Sequence, residues 1–270
     1  MTRKARPSEA AVEQRRQDIL GLVLDRGELR IAELAERFDV SLMTMHRDLD
    51  DLAARHLLRK LRGRVASFPP LTVETATRFR EGLRLAEKSA LAAAAIGEVV
   101  PGSTVLVDDS TTNFPLAGQL TRIERLTVIT NSVRVAQTVA SAPEASVVFI
   151  GGRYHGEFES TSGPDTLRAL ASIRPDLAFV SATAITHGHL YHPVQDYALI
   201  KQEICRSAAR SVLLVDHSKF GRTATYPHGD VGSFDLVVTD DRIPAEELQA
   251  IRDFGVEVRV APVRREETNP

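Results

Sequence analysis

The sequence predicts a small N-terminal module of three helices and a hairpin, followed by an α/β domain built on a mostly parallel sheet. Three observations predict it. Residues 12–66 carry short helical apolar periodicities punctuated by Gly27 and Gly63; Pro69-Pro70 then interrupts the chain; and beyond Glu81 short Val/Ile/Leu runs alternate with helical segments.

The elements follow in order. Val12 to Arg26 places Ile19, Leu22 and Val23 on one helical face and stops before Gly27. Ile31 to Phe38 is a short second helix with Ile31, Leu34, Ala35 and Phe38 together. After Asp39-Val40, the Ser41 hydroxyl is placed to cap a third helix. "LLRKLRGRVAS" alternates around Gly63 as a β-hairpin does. "FPPLTVETATRF" reads as a linker, which divides the chain into 1–68, a linker 69–80, and 81–270. A long Ala-rich helix is expected over Glu81–Val100. It precedes the strands "STVLVDD", "LTVIT", "SVVFIGG", "LAFVSA", "SVLLVD" and "DLVVTD". Such runs suit strands buried on both faces of a parallel sheet. Their polar ends are Asp108, Asn131, Gly151-Gly152, Ser181, Asp216 and Asp240. They form the expected rim of a site, since ligands of open α/β sheets bind at the carboxyl ends of strands.

Composition narrows the function classes. The net charge of −2 hides an asymmetry: residues 1–67 hold 14 Lys+Arg against 11 Asp+Glu, and the remainder holds 20 against 25. A basic small part beside an acidic large one points to a polyanion partner for the first. The single cysteine, Cys205, excludes an internal disulfide framework, fits a reducing compartment and reads as a quiet helix residue. "MTRKARPSEA" has no apolar segment behind it, and "SALAAAAIGEVV" is too short to span a bilayer. A soluble, cytoplasmic protein with no membrane partner and no cofactor is expected.

The third helix has an unusual outer face. With Met45 as origin, Leu49 and Leu52 lie within about 40° of it, while Met43, His46, Arg47 and Asp50 cluster between about 100° and 200°. A second helix, a tight turn and an Arg-bearing third helix are the parts of a helix-turn-helix, whose second member enters the DNA major groove. Arg47 suits a bidentate contact to guanine or a phosphate contact, and Ser41 and Thr44 suit phosphates at the helix start. The hairpin carries Arg59, Lys60, Arg62 and Arg64, as a basic wing beside the backbone would, and Arg3, Lys4 and Arg6 would add a basic arm. Taken singly, each of these cations also reads as a solvated surface residue.

The stretch from Arg15 to Leu58 resembles the winged helix of the DeoR family of bacterial sugar-metabolism regulators. The family's Val-Ser-x-x-Thr-Ile-Arg-Arg-Asp-Leu stands here as "VSLMTMHRDL", with Val40, Ser41, Thr44, Arg47, Asp48 and Leu49 matching. His46 replaces the first Arg, and the usual His-Gly-Gly becomes Arg62-Gly63-Arg64.

Two stretches of the larger domain read as sites. In "VLVDDSTTN", Ser110, Thr111 and Thr112 open a helix expected near Asn113. They make either an anion cradle or a helix cap. In "LLVDHSKFGR", Asp216 ends a strand and Lys219 follows in the turn, either as a phosphate and sugar-hydroxyl site or as a surface ion pair. Both stretches resemble the DeoR-family sensor domain, as do "AEKSALAAAAIGEVV", "VITNS" and "FIGG". That domain is similar to the ribose-5-phosphate isomerase and coenzyme A transferase fold. The resemblance implies effector-binding roles for Asp108, Ser110, Thr111, Thr112, Asn131, Gly152, Lys201 and Lys219. Ser110 stands where the family usually has Gly, and Tyr197, beside Asp196, stands near the place of an expected acidic residue. "ITHGHLYHPVQDY", with His187, His189 and His192, has no obvious Cys or carboxylate partner for a metal. It reads as a loop at the mouth of the site, where imidazoles bond sugar hydroxyls.

The expected function is a DNA-binding regulator, a repressor, of a carbohydrate operon. Its partners would be operator DNA and a phosphorylated sugar or related metabolite, and it would act as a homo-oligomer, dimer or tetramer. An activator is the alternative sign. A sugar-phosphate isomerase is the alternative class; it needs a general base, for which Asp108, Asp109 and Asp216 are nominees.

Overall fold

The computed structural model describes residues 8–55, 57–66 and 77–263. The chain divides into two compact units, Met1–Leu83 and Arg84–Pro270. The basic arm read at Arg3, Lys4 and Arg6 and most of the interval read as a linker lie outside the described residues.

In the first unit, α1 (Glu9–Arg26) begins at Ser8, whose side chain accepts from the Ala11 N–H, and ends at Gly27 with φ 78°. A short strand, β1 (Glu28–Arg30), leads into α2 (Ile31–Arg37); α3 (Leu42–Ala54) follows a turn in which Asp39 takes φ 47°. The strands β2 (Arg59–Leu61) and β3 (Arg64–Ala66) form the expected hairpin, turning at Gly63, whose φ of 70° suits a residue without a Cβ. β1 pairs with β3, so the wing is a three-stranded antiparallel sheet. Ile19, Leu20, Val23, Leu34, Met45, Leu49, Leu52, Leu58 and Val65 pack one core beneath helices and wing. α4 (Thr77–Gly82) is helical where residues 77–80 were read as linker.

The second unit opens with a difference from expectation. The helix predicted over Glu81–Val100 does not run through. Leu83 and Arg84 form a turn, and Arg84 adopts a left-handed φ of 55°, so α5 spans only Leu85–Ala95 and ends in a short 3-10 turn. The Ala-rich run conceals this break because its apolar spacing is continuous across it.

After α5 come β4 (Thr104–Val107), α6 (Phe114–Leu120), β5 (Thr127–Thr130), α7 (Val133–Ala140), β6 (Ser146–Phe149), β7 (Arg153–His155), β8 (Ser160–Ser162) and α8 (Pro164–Ala171). Then follow β9 (Leu177–Val180), β10 (Ala184–Thr186), β11 (His189–His192), α9 (Gln195–Ser207), β12 (Arg210–Leu214), β13 (Tyr226–Asp230), β14 (Leu236–Asp240), α10 (Ala245–Asp253) and β15 (Glu257–Ala261). The main sheet is parallel throughout, in the order β15-β14-β12-β9-β4-β5-β6. Alternate residues of the inner strands enter different cores. Val105, Val107, Phe179, Val212 and Leu214 meet α5, α6 and α7, whereas Leu106, Ala178, Val180 and Leu213 meet α8, α9 and α10. Burial on both faces is why these strands read as unbroken apolar runs.

The order places β4 beside β9, although the chain leaves β4 toward one face through α6 and leaves β9 toward the other through α9. That is a topological switch point, where the loops diverge and leave a crevice at the strand ends. Asp108 sits there, its N–H donating to the Phe179 carbonyl at 3.1 Å.

The stretch read as a histidine-bearing loop is instead a hairpin. β10 and β11 pair through a turn at His187-Gly188, and β11 also pairs with β13. His187 and His189 lie at the tip, with the His189 ring 5.8 Å from that of Phe254, while His192 lies at the other end, its ring 5.5 Å from that of Tyr197. A four-residue strand separates its ends by about 10 Å, so the three imidazoles do not share one site.

Candidate functional site

On α3 the Ser41 hydroxyl accepts from the Thr44 N–H at 3.1 Å and lies 2.9 Å from the Thr44 hydroxyl, fixing the helix start. Met45, Leu49 and Leu52 are buried, which turns Met43 (67% exposed), His46, Arg47 and Asp50 to solvent. Arg47 makes no hydrogen bond or ion pair among the described residues, although an unpaired guanidinium fork is matched in shape to a base edge or phosphate. Arg59, Arg62 and Arg64 are exposed on the wing. Lys60 is spoken for: its Nζ lies 2.5 Å from Asp50 Oδ1 and 3.3 Å from His46 Nδ1, tying wing to helix. Arg64 donates to Glu28 Oε1 at 2.7 Å across the sheet. Salt links of this exposed kind are weak enough to yield to a phosphate.

Asp48 has a different task. It is 2% exposed and receives Arg15 Nε at 2.7 Å and Arg16 Nε at 3.0 Å, locking α1 to α3. Helical spacing places it about 40° from Leu52, on the inner face, so its burial was readable from the sequence.

In the second unit, Asp108 is completely buried at the switch point. Its Oδ1 accepts from Ser110 N at 2.9 Å and Asn113 Nδ2 at 2.8 Å; its Oδ2 accepts from Ser110 Oγ at 3.0 Å, Ser181 N at 3.1 Å and Lys201 Nζ at 2.6 Å. Lys201 also reaches Ser110 Oγ at 3.0 Å. Ser110 holds this place at φ −71°, so replacing the family's usual glycine introduces no strain. Thr111 and Thr112 are buried in the following 3-10 turn, and Lys88 of α5, itself 4% exposed, donates to Thr111 Oγ1 at 3.0 Å.

Asn131, at the end of β5, donates through Nδ2 to the Thr161 carbonyl at 3.0 Å. Gly152 is exposed, and a Cβ there would lie 2.0 Å from Thr166 Oγ1 and 2.8 Å from the Ser162 carbonyl. Packing alone therefore accounts for that glycine. Asp216 caps the turn holding Lys219, accepting from Ser218 N at 3.0 Å, and Arg84 Nε lies 3.7 Å away. Burial by itself would raise the Asp216 pKa; Lys219, the Ser218 hydrogen bond, Arg84 and Lys88 outweigh it and hold the carboxyl below its usual value. Asp240 is likewise held low, burial opposed by His217, whose Nδ1 lies 2.9 Å from Oδ1. Burial pushes the Cys205 thiol up to about 12, consistent with an inert cysteine.

The geometry adds Ser160, which the sequence did not mark, and joins it to Tyr197 and Asp109, which the sequence had left apart. Tyr197, 1% exposed, stands one turn before Lys201 on α9; its hydroxyl is 2.8 Å from Ser160 Oγ, which donates to Asp109 Oδ2 at 2.9 Å. Only folding joins those three. Buried polar atoms with no hydrogen-bond partner among the described residues include Asn113 Oδ1, Asn131 Oδ1, Ser181 Oγ and His228 Nε2. A lone Lys88 in an alanine-rich helix was a readable signal; His228, in "TYPHGD", offered none.

His228 carries a pH prediction. Burial first, then the charges of Lys201 and His192, lower its pKa from an ordinary 6.5 to about 3. Below pH 6.5 the unfolded chain takes up a proton there that the folded chain refuses until about pH 3, so stability falls with falling pH across that window. At pH 5 the loss is about 2 kcal/mol. His228→Leu should therefore unfold in urea with a smaller drop in midpoint between pH 7 and pH 5 than the parent; equal drops would contradict this.

The chain is similar to known regulators along most of its length. Residues 15–70 match the DeoR-like helix-turn-helix domain, and residues 84–241 match the DeoR C-terminal sensor domain. Over 248 residues it is 31% identical to the HTH-type transcriptional regulator YgbI of Escherichia coli (strain K12), covering 92% of this chain and 97% of that one. Over 252 residues it is 30% identical to the glycerol-3-phosphate regulon repressor of the same organism, covering 92% and 98%. Ribose 5-phosphate isomerase A of Methanocaldococcus jannaschii aligns with 49% of this chain and 53% of its own at 17% identity and a TM-score of 0.36, too distant to carry an argument. Among the described residues, no helix is long and apolar enough to cross a membrane.

Proposed function

The chain belongs to the DeoR family of transcriptional regulators, and from that premise we propose that it is a cytoplasmic repressor of a carbohydrate operon, released from its operator by a phosphorylated sugar. It is a DNA-binding regulator; the repressor sign, the effector and a homo-oligomeric state are the proposal. The observation that carries the effector reading is the cationic cluster at the switch point, where Lys201 and Lys88 are buried against Asp108, Ser110 and Thr111. Lys219 and Arg84 flank Asp216 nearby. Buried ammonium groups beside hydroxyls suit an anionic, hydroxylated ligand. The saturated hydrogen bonding of Asp108 supports a binding rather than a catalytic role, because a general base needs a lone pair directed at its substrate. The link between the two functions is thermodynamic: the ligand must bind the DNA-free form more tightly than the DNA-bound form.

Arg47 tests the DNA face. Arg47→Ala should weaken operator binding about ten- to a hundredfold while changing affinity for random DNA far less. Arg47→Lys, which keeps the charge and loses the fork, should behave almost as badly. Equal loss on operator and random DNA, read by fluorescence anisotropy, would reduce Arg47 to a phosphate contact.

A further inference from the structure

Two side-chain amides at the switch point present acceptors that lack a donor. The Asn113 amide is oriented by its nitrogen, which donates to Asp108 at 2.8 Å, and the Asn131 amide by its nitrogen, which donates to the Thr161 carbonyl at 3.0 Å. Each Oδ1 is left as a buried acceptor without a partner among the described residues. Phosphate oxygens cannot satisfy a carbonyl oxygen; an O–H group can.

His228 completes this pattern from another element. Its strand, β13, pairs with β11 in a register that shifts: Leu190 faces Gly229 and Tyr191 faces Pro227, so His228 is the extra residue of a β-bulge. Bulges re-aim side chains and are frequent beside functional sites. The imidazole is 5% exposed, within electrostatic reach of Lys201, His192 and Asp108, and its Nε2 has no partner among the described residues. A buried polar atom left without a partner is destabilising, and an apolar side chain would avoid that penalty. The charged and titratable groups that act on it are the Lys201 ammonium, the His192 ring and the Asp108 carboxylate. Beside that ammonium the ring stays neutral, so Nε2 offers either an N–H or a lone pair according to the tautomer, and a hydroxyl, being both donor and acceptor, answers either one.

We infer that His228 is a specificity-determining contact of the effector, its Nε2 hydrogen-bonding a hydroxyl of a polyhydroxylated ligand whose anionic group is held by the lysine cluster. This rests on the effector reading above and deepens it. The bulge supplies the residue, Lys201 supplies the charge, and Asn113 and Asn131 supply acceptors for further hydroxyls.

Calorimetry on the full chain tests it, with glycerol 3-phosphate, ribose 5-phosphate, glucose 6-phosphate and inorganic phosphate as probes. The expected parent binds at least one sugar or polyol phosphate at least about tenfold more tightly than inorganic phosphate, a gap typical of one or two well-placed hydrogen bonds. His228→Leu should lose about tenfold or more of that affinity and leave inorganic phosphate within about twofold. His228→Gln, which keeps a donor and an acceptor, should fall between. Without ligand, His228→Leu should melt at the parental temperature or a few degrees above it, because the unpartnered nitrogen is gone. Undiminished sugar-phosphate binding by His228→Leu would overturn the inference and make the imidazole structural. A parent that prefers none of the organic phosphates to inorganic phosphate would instead overturn the effector reading on which the inference stands.

Discussion

Asp108→Ala is expected to destabilise the second unit by about 3–5 kcal/mol, the range for removing one partner of a buried ion pair. The substitution takes the carboxylate away from Lys201 Nζ, 2.6 Å distant, in a place where the lysine side chain is only 3% exposed. It also removes the acceptor of Ser110 N, Asn113 Nδ2 and Ser181 N, three donors with little access to water. The melting temperature should fall by roughly 6–20 °C. Asp108→Asn/Lys201→Met separates charge from shape. Replacing both members of a buried pair is often near neutral, so this double variant should recover most of the stability and none of the sugar-phosphate binding. A single Asp108→Ala variant that melts with the parent would mean that the pair is solvated and that the switch point is not the closed polar centre described above.

The second large effect is expected at Asp48→Ala. Arg15 and Arg16 converge on this carboxylate, with side-chain exposures of 15% and 19% against 3% for Asp48, and the link is the main polar tie between α1 and α3. Its loss should cost the DNA-binding unit about 3 kcal/mol, a large share of the stability of a module this small. Hydrogen exchange reads this locally. Amides of α1 and α3 should lose about a hundredfold of their protection while those of the parallel sheet stay unchanged. Operator affinity should fall with them, although Asp48 touches no DNA, because the helix that carries Arg47 loses its fixed direction. Unaltered protection in α3 would show that Met45, Leu49 and Leu52 hold the helix without the ion pair.

What the sequence made legible follows from local physics. Strands buried on both faces announce themselves as apolar runs, so β4, β5, β9, β12 and β14 were readable, and their polar ends marked the rim where Asp108 and Asn131 lie; β6, an edge strand, was readable because its exposed Val148 and Phe149 are apolar too. The outer face of α3 was readable because Met45, Leu49 and Leu52 repeat at helical spacing. β1 was not, since three residues, Glu28 to Arg30, are too short for a pattern. β15 was missed because an edge strand that is half exposed, as Glu257–Ala261 is, gives a diluted apolar run. The break at Arg84 left no trace in an alanine-rich segment. The rest of the site depends on contacts between distant parts of the chain. Tyr197, Ser160 and Asp109 meet only when α9, β8 and the β4 loop are assembled, and His228 enters through a bulge that no periodicity encodes.

The most direct measurement of the central claim, that occupancy of the switch-point site controls the DNA face, is anisotropy on a labelled operator selected by the purified protein from a random-sequence pool. Titrations would be run without and with a saturating amount of the sugar phosphate that binds best. Operator affinity should be about five- to a hundredfold lower with the ligand present, the range of ordinary allosteric coupling, and unchanged with inorganic phosphate at the same ionic strength. Identical operator affinity with the site empty and filled would contradict the claim.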